Sequence, residues 1–213
     1  MTDGSVAAAY GARAGEYIAL AGDLEQMAEE DRALIAGWRD ATTGRLLDAG
    51  CGPGQWAQFL HAGDSPQSGP AGGSRAVLGI DLSAEFIAHA RSRYPHVKFI
   101  EGSFTELPVA DASLGGILAW YSLIHTPPEE LPAVFAEFAR ALAPGGSMLI
   151  GFFDGTPRES FAHAVAPAYF WTSDALAELF DRAGFTATAS ERRSRTTGEV
   201  SARPHASLTA TRR

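Results

Sequence analysis

Short apolar runs alternate with stretches of helical periodicity along most of this chain, and this alternation narrows the possible folds more than any other feature. Runs such as "AVLGID" (76–81), "VKFIEG" (97–102) and "LGGILAWY" (114–121) have the length of buried strands. Helical stretches such as "SAEFIAHARSRY" (83–94) separate them. Strands that alternate with helices over short connections predict an α/β fold, with a mostly parallel sheet and helices on both of its faces.

Both ends of the chain extend this pattern. Residues 5–38 predict one or two helices before the first strand, and "TSDALAELFDRAGF" (172–185) predicts a capped helix near the carboxyl end. The polar-alternating segments 186–193 and 205–211 predict an antiparallel strand pair, and the Gly-, Pro- and Ser-rich segment 64–75 predicts a long loop. A length of 213 residues fits one domain.

The charge and the single cysteine exclude several kinds of function. A net charge of −8 disfavours binding to nucleic acid, and the one basic cluster, Arg192, Arg193 and Arg195, is interpreted as an exposed edge or turn. Because Cys51 is the only cysteine, neither an intrachain disulfide nor a thiolate zinc site can form, and no other spacing predicts a metal. Neither a membrane span nor a secretory signal is predicted, so a cytoplasmic protein is expected.

The segment "LLDAGCGPGQW" (46–56) places a glycine-rich turn directly after an apolar run that ends on Asp48. The spacing Gly50-x-Gly52-x-Gly54 does not match the dinucleotide pattern G-x-G-x-x-G. A carboxylate at the entrance of the turn would repel a pyrophosphate, but it suits a ligand that carries an amino group. The turn therefore favours an amino-acid-bearing nucleoside, and a nicotinamide oxidoreductase remains a less favoured alternative.

Four ordered segments resemble the motifs of the class I S-adenosylmethionine-dependent methyltransferases. "LLDAGCGPG" resembles motif I, "GIDLS" (79–83) the second-strand motif, "EGSFTELP" (101–108) the third-strand motif, and "LAPGGSMLI" (142–150) the stretch before the fifth strand. The resemblance covers about residues 45–155. It implies a Rossmann-like fold with a seven-stranded sheet, formed by a single methyltransferase domain over 1–213. That domain would comprise N-terminal lid helices (1–40), a cofactor-binding core (41–155) and a C-terminal part with an acceptor-pocket insert (156–213).

The resemblance implies that the cofactor is S-adenosyl-L-methionine, with S-adenosyl-L-homocysteine as the product. Asp81 would receive the ribose hydroxyls, because a carboxylate can accept hydrogen bonds from both groups of a diol. Ser103 stands where the family often has an acid, so adenine recognition would depend more on stacking by Phe104. The predicted cofactor-binding residues are Asp48, Gly50, Cys51, Gly52, Gly54, Trp56, Asp81, Leu82, Ser103, Phe104, Trp120, Tyr10, Arg13 and Tyr17.

Tyr10, Arg13 and Tyr17 are assigned to a lid because "AAYGARAGEY" resembles the lid helix of small-molecule methyltransferases. Their spacing of three and four residues places them on one face of a helix. On that face they could close the site over the methionyl carboxylate, or they could form an ordinary packing stripe. Cys51 is interpreted as a small buried residue of the turn rather than a nucleophile.

The segment "AWYSLIHTPP" (119–128), at the exit of the fourth strand, carries the candidate catalytic residues His125 and Tyr121. It lacks the Asn/Asp-Pro-Pro-aromatic signature of nucleic-acid base methyltransferases. An ordinary imidazole pKa near about 6.5 suits a general base, and the alternative role of His125 is a hydrogen bond to the loop backbone. His163, Tyr169 and Trp171 of an aromatic insert, together with His205, are the candidate acceptor-pocket residues, with additional core packing as the alternative.

Together these features predict a methyltransferase that moves a methyl group to oxygen or nitrogen of a small molecule. A general base is optional in such a reaction, since aligning the acceptor with an activated methyl group supplies most of the catalysis. The alternative is a member of the same fold that binds the cofactor without methylating. The expected partner is a small-molecule acceptor, with no nucleic acid or membrane, and the protein would be a monomer or homodimer.

Overall fold

A computed structural model describes residues 3–63, 74–194 and 203–213. Most of the loop predicted over 64–75, and Arg195 of the basic cluster, lie outside these ranges. The amino-terminal part forms three helices, where one or two were predicted, with a short 3-10 turn at Leu24–Gln26. The helices are α1 (Asp3–Ala12), α2 (Ala14–Ala21) and α3 (Glu29–Ala41).

The rest of the chain follows the predicted alternation of strands and helices. The core elements are β1 (Leu46–Ala49), α4 (Gln55–Ala62), β2 (Val77–Asp81), α5 (Ala84–Arg93), β3 (Lys98–Glu101), β4 (Leu114–Trp120), α6 (Leu131–Ala141) and β5 (Leu142–Phe153). After them come the short strands β6 (Ser160–Phe161) and β7 (Ala168–Tyr169), then α7 (Ser173–Arg182), β8 (Phe185–Arg193) and β9 (His205–Arg212).

Seven of these strands form one sheet in the order β3-β2-β1-β4-β5-β9-β8. Strands β1 to β5 pair in parallel, whereas β9 runs antiparallel to both β5 and β8. The predicted fold class, with its antiparallel carboxyl-terminal strand pair, is confirmed. The short pair β6–β7 forms a separate two-stranded sheet within the aromatic insert.

Helices cover the central strands on both faces, which explains why β1 and β4 are apolar almost throughout rather than alternating. On one face, Ile35 and Trp38 of α3 pack with residues of α4 and α5. On the other face, Phe135 of α6 packs edge-on against Phe180 of α7 at 4.8 Å between ring centroids. Helix α3 thus belongs to the core layer, and only α1 and α2 of the predicted lid segment lie outside it.

The strand order reverses between β1 and β4, which are neighbours in the sheet but not in the chain. The connections that follow these two neighbouring strands lead to opposite faces of the sheet. A crevice therefore opens beyond the carboxyl ends of the two strands. The residues that follow β1, β2 and β4 therefore meet at one edge. Among the described helices, none is both long and apolar enough to span a membrane.

Thr172 provides a test of how α7 begins. Its side chain accepts a hydrogen bond from the Ala175 amide at 3.2 Å and caps the helix. Thr172→Ala leaves that amide without its partner, so we expect the free energy of unfolding to fall by about 1 kcal/mol, measured by chemical denaturation. Thr172→Ser keeps the hydroxyl and should stay within a few tenths of a kcal/mol of wild type. Equal losses in the two variants would contradict this assignment of the cap.

Candidate functional site

The glycine-rich turn after β1 is fastened to the end of β2. The amides of Gly50 and Cys51 both donate to the carbonyl of Ile80, at 2.8 and 3.0 Å. Gly50 has a φ of +78°, and a Cβ there would lie 2.2 Å from the Cβ of Ser122, so only glycine fits. At Gly52, by contrast, a Cβ would meet no atom within 4 Å, because this part of the turn borders open space.

Asp81, the last residue of β2, is held by the same turn. Its Oδ2 accepts a hydrogen bond from the Gly52 amide and its Oδ1 from the Ser83 amide, both at 2.9 Å. Burial raises the pKa of Asp81, while the backbone hydrogen bonds from Ser83 and Gly52 oppose that shift. Each carboxylate oxygen has a second lone pair, so Asp81 can still accept hydrogen bonds from a diol.

Asp48 lies beneath the turn rather than in the pocket. Its side chain is buried, and its Oδ2 has no hydrogen-bond partner among the described residues. Burial, and then the charge of Asp81, raise the pKa of Asp48 to about 8, and a backbone hydrogen bond from Ala57 only partly opposes them. The carboxyl group is therefore mostly neutral at pH 7, and a cationic ligand nearby would favour its ionised form.

A cavity opens at this edge of the sheet, with a volume of about 780 Å³ including its mouth. Ten of the residues predicted from the sequence line it: Tyr10, Tyr17, Gly50, Gly52, Asp81, Leu82, Phe104, Trp120, Tyr121 and His125.

His125 is a buried, neutral imidazole with a defined tautomer. Its Nδ1 lies 2.8 Å from the carbonyl oxygen of Pro167, and since that oxygen can only accept, Nδ1 carries the hydrogen. Nε2 is then the acceptor for the hydroxyl of Tyr10 at 2.9 Å. Burial lowers the pKa of His125, so the neutral form dominates at pH 7. The general-base role and the backbone-bonding role predicted for His125 each correspond to one ring nitrogen. Nδ1 bonds to the loop backbone, and Nε2 faces the pocket.

The amino-terminal helices cover the pocket through two tyrosines. The ring of Tyr10 lies 5.9 Å from that of Tyr17 and 5.8 Å from that of Phe86. Arg13 does not lie where the sequence predicted it, on a helical face shared with the two tyrosines. Because α1 ends at Ala12, Arg13 is outside the helix, and its side chain bonds to Glu16 and the carbonyl of Ala164 instead of lining the pocket. The three residues do not share one helical face.

Five further residues of the predicted cofactor site lie outside the lining, each for a local reason. Asp48 and Cys51 are buried under the turn, and burial raises the pKa of the Cys51 thiol. Gly54 is the residue that precedes α4, while Trp56 packs edge-on against Trp120. The hydroxyl of Ser103 bonds with Thr105 rather than facing the cavity.

The four predicted acceptor-pocket residues also lie outside the cavity. Tyr169 packs against the core, and Trp171 lines a small internal void. His163 lies behind His125, with ring centroids 5.1 Å apart. His205 packs on Tyr121 at 4.7 Å and lines a shallow cleft on the other side of that residue. Burial lowers the pKa of both His163 and His205 to about 4.

Tyr121 separates the pocket from that cleft. It has a φ of +54°, a left-handed conformation that is uncommon outside glycine and that clusters at functional sites. Its ring contacts those of Trp120 and Phe153 at 5.3 Å between centroids. The strained backbone at the exit of β4 turns the Tyr121 side chain into the wall of the cavity.

Sequence reasoning missed several lining residues. Ser122, Thr126 and Pro127 stand beside predicted residues in the exit of β4, so the strand-end rule could have found them. Phe86 lies one helical turn after the cap at Ser83, a position that the rule does not cover. The full set missed is Val6, Ala7, Ser83, Phe86, Ser122, Thr126, Pro127 and Glu130. Within the described ranges, no group of three or more His, Cys, Asp or Glu side chains could hold a metal ion.

The central part of the chain is similar to known methyltransferases. A family model described as a methyltransferase domain matches residues 46–146. A malonyl-(acyl-carrier protein) O-methyltransferase of Pectobacterium atrosepticum is 31% identical over 142 residues, covering 67% of this chain and 50% of that protein. The chain spans about half the length, or less, of the curated relatives that it matches.

Solved structures share the whole fold. The 4+2 cyclase SpnF is 21% identical with a TM-score of 0.78, and the match covers 100% of this chain and 97% of the cyclase. The 1,6-didemethyltoxoflavin-N1-methyltransferase of Burkholderia thailandensis, solved with its substrate and S-adenosylhomocysteine, is 24% identical with a TM-score of 0.71. That match covers 100% of this chain and 91% of the enzyme. The predicted Rossmann-like methyltransferase fold is confirmed.

Asp48→Asn tests the buried acid through the pH dependence of stability. In the unfolded chain Asp48 ionises near pH 4, as ordinary Asp does, whereas its folded pKa is about 8. The folded state therefore binds an extra proton between these values, and this group lowers stability as the pH rises through that window. Chemical denaturation at several pH values measures this effect. We expect the free energy of unfolding of Asp48→Asn, relative to that of wild type, to rise by more than about 1 kcal/mol between pH 5 and pH 8.

The matched control is Asp174→Asn, which removes an exposed carboxylate from α7. For this control, the difference from wild type in the free energy of unfolding should not increase as the pH rises from 5 to 8. A constant difference between Asp48→Asn and wild type from pH 5 to 8 would show that Asp48 is already ionised in the folded protein.

Proposed function

Since residues 46–146 match the model of a methyltransferase domain, we propose that this protein transfers the methyl group of S-adenosyl-L-methionine to oxygen or nitrogen of a small molecule. The observation that carries the proposal is the placement of Asp81. Its carboxylate is fixed by two backbone amides at the edge of the cavity, beside the open side of Gly52. The proposed domain remains a single one, with α1 and α2 as its lid.

The residues present fit this cofactor. Asp81 would receive the ribose diol, and Phe104 and Leu82 would flank the adenine. The open backbone at Gly52 offers space for the methionyl part, where a side chain would intrude. Asp48 would respond to the positive charges of the ammonium and sulfonium groups, although it makes no direct contact with the cavity. When bound, the cofactor supplies a methyl group that its sulfonium already activates for attack.

The protein then has to orient the acceptor, exclude water and accept a proton. Tyr17 and, before an acceptor binds, Tyr10 cover the cavity and exclude water. Nε2 of His125 is the proton acceptor, because its tautomer is fixed by Pro167 and its lone pair faces the pocket. The lowered pKa of His125 keeps this nitrogen unprotonated at pH 7.

The relatives support transfer to either oxygen or nitrogen, since one is named an O-methyltransferase and another an N1-methyltransferase. A fold alone does not determine a reaction. Cofactor binding without methyl transfer to any acceptor would favour the alternative of a non-methylating member.

Asp81→Ala tests the cofactor assignment. Removing the carboxylate should weaken binding of S-adenosylhomocysteine by roughly 1.5–3 kcal/mol, the range for hydrogen bonds to a charged group, measured by isothermal titration calorimetry. Glu101→Ala is the matched control, because Glu101 pairs with Asp81 at the end of the neighbouring strand but does not line the cavity. Unchanged affinity in a folded Asp81→Ala variant would place the ribose elsewhere.

His125→Ala tests the proton acceptor. With an acceptor found by screening hydroxyl and amine compounds against radiolabelled cofactor, we expect kcat to fall by about 10²–10⁴-fold. Affinity for S-adenosylhomocysteine should change far less, since the imidazole is assigned to the acceptor. His96→Ala removes an exposed imidazole from the surface and serves as the control. Full turnover by His125→Ala would limit His125 to a structural role.

A further inference from the structure

The hydroxyl of Tyr10 occupies the position that an acceptor would need. It lies 2.9 Å from Nε2 of His125, the one imidazole nitrogen that faces the cavity. A neutral imidazole has a single nitrogen lone pair, and the other nitrogen is committed to the carbonyl of Pro167 at 2.8 Å. Tyr10 and an acceptor cannot both donate to Nε2, so an acceptor that uses this base has to displace the tyrosine.

The surroundings of the Tyr10 side chain form a site for an aromatic ring. The rings of Phe86, Tyr17 and His125 lie 5.8, 5.9 and 5.5 Å from that of Tyr10. These separations and inclined orientations are those of favourable aromatic pairs. The cavity thus already holds one phenol, with its ring between aromatic side chains and its hydroxyl on the base.

Helix α1, which carries Tyr10, lies outside the core of the protein. None of its described side chains, from residue 4 to residue 12, is buried. Elements with little buried apolar surface open at a low cost in free energy. Withdrawal of Tyr10 from His125 therefore leaves the core of the protein undisturbed.

From this geometry we infer that the acceptor is a neutral aromatic hydroxyl compound, whose O–H replaces that of Tyr10 at Nε2 and whose ring takes the place of the Tyr10 ring. The inference rests on the proposed function and specifies its substrate class. Tyr10 then determines specificity by holding the acceptor site closed until a similar group displaces it.

The local charges agree with this class. A carboxylate has no hydrogen to donate to Nε2. Both a carboxylate and a phosphate would also meet the acidic side chains of Asp81 and Glu130, which line the same cavity. In the transfer, the phenolic oxygen forms a bond to the methyl carbon as the bond from sulfur to that carbon breaks. The electron pair of the broken bond stays on sulfur, and the phenolic proton passes to Nε2 and then to solvent.

Phenol itself is the probe for this site. Tyr10→Ala removes the internal ring and opens a space of matching size, whereas Tyr10→Phe removes only the hydroxyl and leaves the space filled. We expect phenol to bind at least tenfold more tightly to Tyr10→Ala than to Tyr10→Phe, measured by calorimetry with and without S-adenosylhomocysteine. Adding His125→Leu to Tyr10→Ala, which replaces the base with an apolar side chain, should cost about tenfold in affinity. Tyr10→Ser provides a second small side chain if Tyr10→Ala proves unstable.

Two readouts separate this inference from the proposed function. Equal phenol affinity in the Ala, Ser and Phe variants, with each variant folded, would overturn the inference whether or not the protein methylates. Formation of radiolabelled anisole from phenol by Tyr10→Ala, and not by Tyr10→Phe, would support both. Phenol binding that depends on His125, without any anisole, would support the recognition site and contradict methyl transfer.

Discussion

The carbonyl of Ile80 accepts hydrogen bonds from two successive amides of the turn after β1, and the geometry of the site depends on this contact. It locks the turn to the end of β2, one residue before Asp81. The Gly52 amide then completes the connection by donating to the Asp81 carboxylate. The open side of the turn and the Asp81 carboxylate, which would accept hydrogen bonds from the ribose diol, are thereby held at a fixed separation. A side chain at Gly50 would push the turn off Ser122 and break this arrangement.

The charged side chains in and beneath the described cavity are acidic. Asp48 and Asp81 lie close enough to raise the pKa of Asp48, and no described cationic side chain lines the cavity. A ligand with fixed positive charges would relieve this repulsion, whereas an anionic ligand would increase it. The neutral His125 adds no charge. The site therefore matches a cationic methyl donor together with an uncharged acceptor.

The sequence predicts the parts of this structure that local rules govern. Strand and helix periods, the capped start of the helix within 172–185, and the gathering of strand-end residues at one edge follow from spacing alone. Arg13 was misplaced because the helix breaks at that residue, and a helical-face argument assumes an unbroken helix. The contact between Tyr10 and His125 joins residues 115 positions apart, and no local pattern reports it. The candidate acceptor-pocket residues of the aromatic insert lie outside the cavity lining for a similar reason, since their burial depends on how the insert folds back on Ile124 and Phe153.

Binding of the methyl donor's product is the central claim, and calorimetric titration of the wild-type protein with S-adenosylhomocysteine and, separately, with NAD tests it most directly. Saturable binding of S-adenosylhomocysteine at one site, with no heat of binding for NAD, is the predicted result. Binding of NAD with none for S-adenosylhomocysteine would contradict the assignment of the cavity and return the glycine-rich turn to the dinucleotide-binding class.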